Sequence, residues 1–172
     1  MSADDSSPTA LRVLVDQPEI PGNTGNLIRL AAVTGVELHL AEPLGFDFAD
    51  AKLRRAGLDY HDLAVLTVHP SLEAAYQALG LGAETPAEQH PRVFAFTGEG
   101  TTGHTQISYR PGDVMLFGRE SVGLDEQVKE DPRITEKVRI PMMPSRRSLN
   151  LANSVSVAVY EAWRQHDFAG AV

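Results

Sequence analysis

The sequence predicts an α/β protein built on a mainly parallel sheet with helices on both faces. Short apolar runs alternate along the chain with stretches of helical periodicity, the pattern of βαβ units. Several runs are continuously apolar rather than alternating, as strands buried on both faces of a parallel sheet are. The chain has 172 residues, with 42% hydrophobic and 22% charged, which fits one globular domain with a real core.

The elements follow in order. Residues 11–15 read as a short buried strand. Residues 23–34 read as a helix: Asn23 is placed to cap it, Leu27, Ile28, Leu30, Ala31 and Val33 supply an apolar face, and Gly35 ends it. Residues 36–41 form a second strand candidate, and residues 50–57 a short polar helix. Residues 64–68 make a third strand. Residues 71–79 make a helix with Ser71 at its N-cap, followed by a polar, proline-containing loop over 81–91. Residues 93–96 and 114–117 are the fourth and fifth strands, and 138–140 a short sixth. Residues 148–165 form a long helix whose apolar positions lie nearly all round, so it is either deeply buried or packed against a partner. The first ten residues are polar and acidic and are expected to be disordered, leaving 11–172 as a single domain.

Composition removes several functions. There are no cysteines, which excludes a disulfide scaffold, cysteine-ligated zinc, iron–sulfur clusters and thiol catalysis. The formal charge is −8, so a polyanion partner must meet a local basic patch. No apolar run reaches the roughly 18 residues of a membrane helix, and the start lacks a signal pattern; a cytoplasmic protein is expected. The histidines His39, His61, His69, His90, His104 and His166 show no metal-ligand spacing.

Ligands of open parallel sheets sit beyond the carboxyl ends of the strands. Three loops fit that place: residues 97–103, 118–124 and 141–147. Gly98-Glu99-Gly100-Thr101-Thr102-Gly103 matches G-x-G-x-x-G. The stretch after it is too short and too rich in β-branched and hydroxyl residues to open a dinucleotide-binding helix. Gly118-Arg119-Glu120-Ser121-Val122-Gly123 has one residue too many for a serine-hydrolase elbow. Both read better as glycine turns that bring backbone close to a ligand. Lys52, Arg54 and Arg55, and separately Arg146 and Arg147, are small basic runs able to position a phosphate backbone. Pro18-Glu19-Ile20-Pro21-Gly22-Asn23-Thr24-Gly25-Asn26 stiffens the approach to a helix N-terminus, with Arg29 one turn further in.

Three segments in this order resemble the signature motifs of the SPOUT (SpoU-type) RNA 2′-O-methyltransferases: Asn23-Thr24-Gly25-Asn26-x-x-Arg29; Leu116-Phe117-Gly118-Arg119-Glu120-Ser121-x-Gly123-Leu124; and Ile140-Pro141-Met142-x-Pro144-x-x-Arg147-Ser148-Leu149-Asn150-Leu151-x-Asn153-Ser154-Val155. Leu53-Arg54-Arg55-Ala56-Gly57-Leu58-Asp59-Tyr60-His61 and Tyr160-Glu161-Ala162-Trp163-Arg164 further resemble the single-domain subfamily that methylates the tRNA wobble nucleotide, cytidine or a modified uridine at position 34, in leucine tRNAs. Gly22 stands where some relatives carry another proline.

The resemblance implies a C-terminal trefoil knot, a homodimer joined through the last helix, and S-adenosylmethionine as methyl donor with no metal. It implies a tRNA partner, and neither DNA nor a membrane. Phe96, Gly118, Ile140, Ser148 and Leu149 would hold the cofactor. Arg29, Glu120 and Asn150 would form the catalytic set, with Arg29 near the ribose hydroxyl and an RNA phosphate, and Glu120 and Asn150 organising the site. Lys52, Arg54, Arg55, Arg147 and Tyr160 would contact RNA, with Arg139 and Arg146 adding charge. Another RNA substrate, such as rRNA, and an idle RNA-binding protein of this fold are the competing expectations.

Overall fold

The computed structural model describes residues 11–48 and 66–172. In chain order the elements are β1 (Arg12–Asp16), α1 (Pro21–Thr34), β2 (Glu37–Ala41), β3 (Leu66–His69), α2 (Leu72–Ala78), β4 (Val93–Phe96), β5 (Thr102–Gly103), β6 (Val114–Phe117), α3 (Glu126–Lys129), β7 (Glu136–Arg139) and α4 (Leu151–Gln165), with short 3-10 turns at Ala87–Gln89 and His104–Gln106. The strands form one sheet in the order β3-β2-β1-β6-β4-β7-β5, and every pairing in it is parallel.

The pleat sorts the core into two layers. Val13, Val15, Phe94, Phe96, Met115 and Phe117 face α1 and α4. Leu14, Val93, Ala95, Val114 and Leu116 face α2, Leu124 and Val128. Fully burying each such side chain contributes roughly 1.5–3 kcal/mol, so both layers hold the central strands fast. Helices therefore cover both faces, and the continuous apolar runs of β1, β4 and β6 are accounted for.

Several expectations need correction at their boundaries. Asn23 is not the cap of α1. Pro21 occupies the first helical position and Ile20 is the N-cap, with no side-chain cap of its own; proline lacks the N–H that position cannot use and presets its φ. Gly35 does end the helix, at φ 78°. The sixth predicted strand runs over Glu136–Arg139 rather than 138–140. The last helix starts at Leu151, because the Asn150 side chain accepts from the Asn153 N–H and fixes the N-cap there. Its apolar residues are not buried all round: Val155, Ala158, Val159 and Ala162 face the core, while Val157 and Tyr160 are exposed. Ser71 caps α2 as expected, accepting from the Ala74 N–H at 3.0 Å. The polar helix expected over 50–57 lies outside the described residues.

Candidate functional site

The three loops singled out in the sequence leave the carboxyl ends of the adjacent strands β4, β6 and β7 and converge. Between them opens a cavity of about 630 Å³, in the range of small-molecule and cofactor sites. Its walls are mixed. Phe96, Phe117, Val138, Ile140 and Leu149 are apolar, Gly98, Gly118 and Gly123 expose backbone, and Ser148, Asn150 and Ser154 are polar. Phe96 and Phe117 stack at 4.6 Å between ring centroids beneath it.

The 118–124 loop is closed on itself. Arg119 and Gly123 exchange backbone hydrogen bonds of 3.2 and 2.8 Å. Gly123 turns the chain at φ 71°, a conformation that costs glycine little. A Cβ on Gly118 would stand 2.2 Å from the Gly123 carbonyl carbon, so no larger residue fits there. The Arg119 guanidinium pairs with Asp125 and ties the loop to the start of α3. Gly100 meets a similar limit: its Cβ would lie 2.5 Å from the Val138 backbone. The 97–103 loop thus runs directly against β7.

Residues from all three motif segments meet at the rim. The Glu120 carboxylate accepts from the Glu19 N–H at 2.7 Å, the Ile20 N–H at 3.0 Å and the Asn23 side-chain amide at 3.4 Å. It holds the two residues that lead into α1, its N-cap Ile20 among them. Asn150 donates to the Asn23 Oδ1 at 3.0 Å. Glu19 returns the contact by accepting from the Ser121 N–H at 3.1 Å and the Ser121 hydroxyl at 2.9 Å. The helix that carries Arg29 is thereby fixed to the cavity wall and to the start of α4.

Charge inside the cavity is mostly matched internally. Lys129, buried on α3, donates to Glu99 at 2.7 Å and lies 3.0 Å from Glu126. The bond to Lys129 holds the Glu99 carboxyl below the ordinary glutamate range, and Glu99 and then Glu126 raise the lysine. Both therefore stay charged at neutral pH, bolting the 97–103 loop to α3.

Of the residues expected at the site, Phe96, Gly118, Glu120, Ile140, Ser148, Leu149 and Asn150 line the cavity together. Arg29 is exposed on α1 and is not among the lining residues. Arg147 and Tyr160 are also exposed and stand outside the lining set. Lys52, Arg54 and Arg55 lie outside the described residues. Sequence reasoning missed Lys129 and the Glu19–Ser121 contact. A lysine in a short polar helix carries no local signal. The unusual Pro18–Pro21 stretch did mark Glu19's neighbourhood, but not its distant partner. Among the described residues, no group of three metal-ligating side chains comes together.

Residues 10–160 match the SpoU rRNA Methylase family. A tRNA (cytidine(34)-2′-O)-methyltransferase of Methylovorus glucosotrophus is 51% identical over 160 residues, covering 93% of this chain and 98% of that protein. The enzyme of the same name from Escherichia coli strain K12 is 47% identical over 162 residues, covering 94% and 98%. A solved structure concerned with 2′-OH methylation of C/U34 on tRNA superposes with a TM-score of 0.82 at 44% identity, covering 94% of this chain and 99% of that one. The SpoU methyltransferase AviRb from Streptomyces viridochromogenes, solved in complex with the cofactor AdoMet, superposes at 0.75 with 28% identity, covering 92% and 61%. The chain belongs to the SpoU rRNA methylase family.

Proposed function

We propose that this member of the SpoU family transfers the methyl group of S-adenosylmethionine to the ribose 2′-hydroxyl of the wobble nucleotide of tRNA, cytidine or modified uridine at position 34. The observation that carries the reading is the junction of Asn23, Glu120 and Asn150 at the rim of a cavity of cofactor size. The likeness to proteins named for that reaction, across nearly the full chain, supplies the substrate.

The cavity suits the cofactor. Apolar walls at Ile140, Leu149 and Phe117 fit a flat heterocycle, while the backbones of Gly98, Gly118 and Gly123 offer polar edges without side chains. Gly98 has nothing within 4 Å of where its Cβ would stand, so that wall is open. Phe96, Gly118, Ile140, Ser148 and Leu149 are the proposed holders. When bound, S-adenosylmethionine supplies an electrophilic methyl group on a sulfonium with a good leaving group, so the reaction needs no metal.

The chain's own task is to place an oxygen nucleophile in line with that methyl, at roughly 3–3.5 Å. Glu120 is occupied by three hydrogen bonds to the start of α1. Its role is to fix that helix rather than to carry a proton. Asn150 joins the same network and completes the rim. Arg29 orients the ribose hydroxyl and a flanking phosphate; a guanidinium carries only donors and is a poor base. The hydroxyl oxygen would receive the methyl as the donor leaves as the neutral thioether, and the hydroxyl proton would pass to solvent or a substrate phosphate.

A homodimer and an α/β knot belong to the same proposal, as do residues 11–172 acting as one domain. The exposed Val157 and Tyr160 of α4 and the exposed Met142, Met143 and Leu149 nearby support a partner surface. From that partner, Tyr160 and Arg147 would reach RNA together with Lys52, Arg54 and Arg55. Among the described residues no helix is long and apolar enough to cross a membrane, and a cytoplasmic location follows from a tRNA substrate.

The test uses purified protein, labelled S-adenosylmethionine and total tRNA lacking the mark, followed by nuclease digestion and mass spectrometry. A 2′-O-methyl group at position 34 is expected. Transfer only to ribosomal RNA would redirect the substrate, and cofactor binding without any transfer would favour an idle RNA-binding protein. Arg29→Ala is expected to abolish transfer with S-adenosylmethionine affinity intact; loss of that affinity would remove Arg29 from the acceptor side.

A further inference from the structure

The charged side chains that line the cavity are Glu99, Arg119, Glu120, Lys129 and Arg139. Four are answered within the protein. Glu99 and Lys129 pair with each other, Arg119 pairs with Asp125, and Glu120 accepts from Glu19, Ile20 and Asn23. Arg139 is the exception: it makes no ion pair or side-chain hydrogen bond among the described residues, and it is exposed at the carboxyl end of β7.

Its backbone, by contrast, is held. Val138 accepts from the Thr97 N–H at 3.0 Å, and Arg139 pairs in register with Gly103 of β5. The Gly100 backbone leaves no room for a side chain beside the Val138–Arg139 peptide. A rigid strand end thus presents, at the mouth of the cavity, one guanidinium with no ion-pair partner among the described residues. A guanidinium forks its N–H donors onto the two oxygens of an oxyanion. Arg146 and Arg147, both exposed, follow on the same rim loop. The placement at the exposed mouth, beside further exposed cations, matches a polyanionic strand crossing the opening rather than the buried tail of a small molecule.

We infer that Arg139 receives an oxyanion of the bound substrate, a phosphate of the RNA strand beside the reacting ribose. This rests on the RNA methyltransferase reading and turns the general charge expected of Arg139 into one specific contact, a phosphate beside the reacting ribose.

The test measures binding without turnover. The affinity of unaltered protein, Arg139→Gln and Arg139→Lys for a tRNA anticodon stem-loop is followed against salt concentration, alongside S-adenosylhomocysteine affinity by calorimetry. Arg139→Gln is expected to weaken RNA binding about ten- to a hundredfold, the worth of a charge-assisted hydrogen bond. It should flatten the log–log salt slope by about 0.7, one phosphate contact on a single strand. S-adenosylhomocysteine affinity should not change. Arg139→Lys should restore the slope but only part of the affinity, because a point charge lacks the fork. An unchanged salt slope in Arg139→Gln overturns the inference. So does loss of S-adenosylhomocysteine affinity with RNA binding untouched, which would give the guanidinium to the carboxylate of the cofactor. If the unaltered protein binds the stem-loop yet transfers no methyl group to tRNA, the proposed activity fails while the Arg139 slope is still read.

Discussion

Two loops form opposite walls of the same cavity and are built in opposite ways. The 118–124 loop is knit into the protein by a backbone bridge, an ion pair with Asp125, and the reciprocal Glu19–Ser121 and Glu120–Glu19 bonds. The 141–150 loop is exposed at every residue. Its side-chain-mediated ties to the described residues are confined to its end, where Asn150 bonds Asn23 and Asn153, and Ser154 bonds the Leu149 carbonyl. One wall is finished by folding; the other carries apolar and cationic side chains that folding alone does not cover. A preorganised wall lowers the ordering cost of binding, while an open one lets a ligand or partner complete the site.

The contrast can be broken most severely at Gly118. Gly118→Ala forces a Cβ to within 2.2 Å of the Gly123 backbone. Overpacking of this kind costs about 3 kcal/mol, or roughly a hundredfold in affinity. S-adenosylmethionine binding, read by calorimetry, should fall by that order; near-normal affinity would mean the closed form of the loop is not the binding form.

A smaller effect is expected one step out. Glu120→Ala leaves the Glu19 and Ile20 N–H groups without their acceptor. A lost intramolecular hydrogen bond at a site water can reach costs about 1 kcal/mol, which corresponds to roughly 2–4 °C in melting temperature for a chain of this size. Scanning calorimetry that shows no shift would deny Glu120 its part in holding α1.

On the open wall the same kind of change should do little. Met143 is 75% exposed, and Met143→Ser should leave stability within about 0.5 kcal/mol. A larger loss in denaturant titration would show that the loop is already packed.

The smallest expected effect lies far from either loop and serves as a control. His39 Nδ1 and His69 Nε2 are 2.9 Å apart on β2 and β3, buried. Burial lowers both imidazole pKa values, and the neighbouring His39 lowers His69 further. A base whose folded pKa is lowered holds fewer protons folded than unfolded. Its contribution is therefore complete above the ordinary imidazole range, near 6.5, and is lost as pH falls below it. Unfolding midpoints should decline on acidification through that range, and His69→Gln should blunt the decline. Cofactor affinity should not follow the same curve.

The same division explains what could be read in the sequence. β1, β4 and β6 were legible because both faces of each strand are buried, which writes a continuous apolar run. β7 was placed too late because its residues are polar around the single buried Val138, and the apolar signal sits at its end. β5 is two residues long and writes no pattern. Asn23 reads as a cap because capping rules are local, whereas the entry to α1 is held by Glu120, about a hundred positions away in the chain. The motif residues could be grouped by resemblance. Their junction through Asn23 and the Lys129–Glu99 bolt needed coordinates, since nothing local in the sequence marks a partner in another loop.

Held between these two walls, S-adenosylmethionine would finish the open one. Amide hydrogen exchange of the unaltered protein, with and without S-adenosylmethionine, tests this directly. Residues 118–124 should exchange slowly in both states, while residues 141–150 should exchange fast alone and become protected on addition. No protection over 141–150, with binding confirmed by calorimetry and protection appearing elsewhere, would contradict the placement of the cofactor.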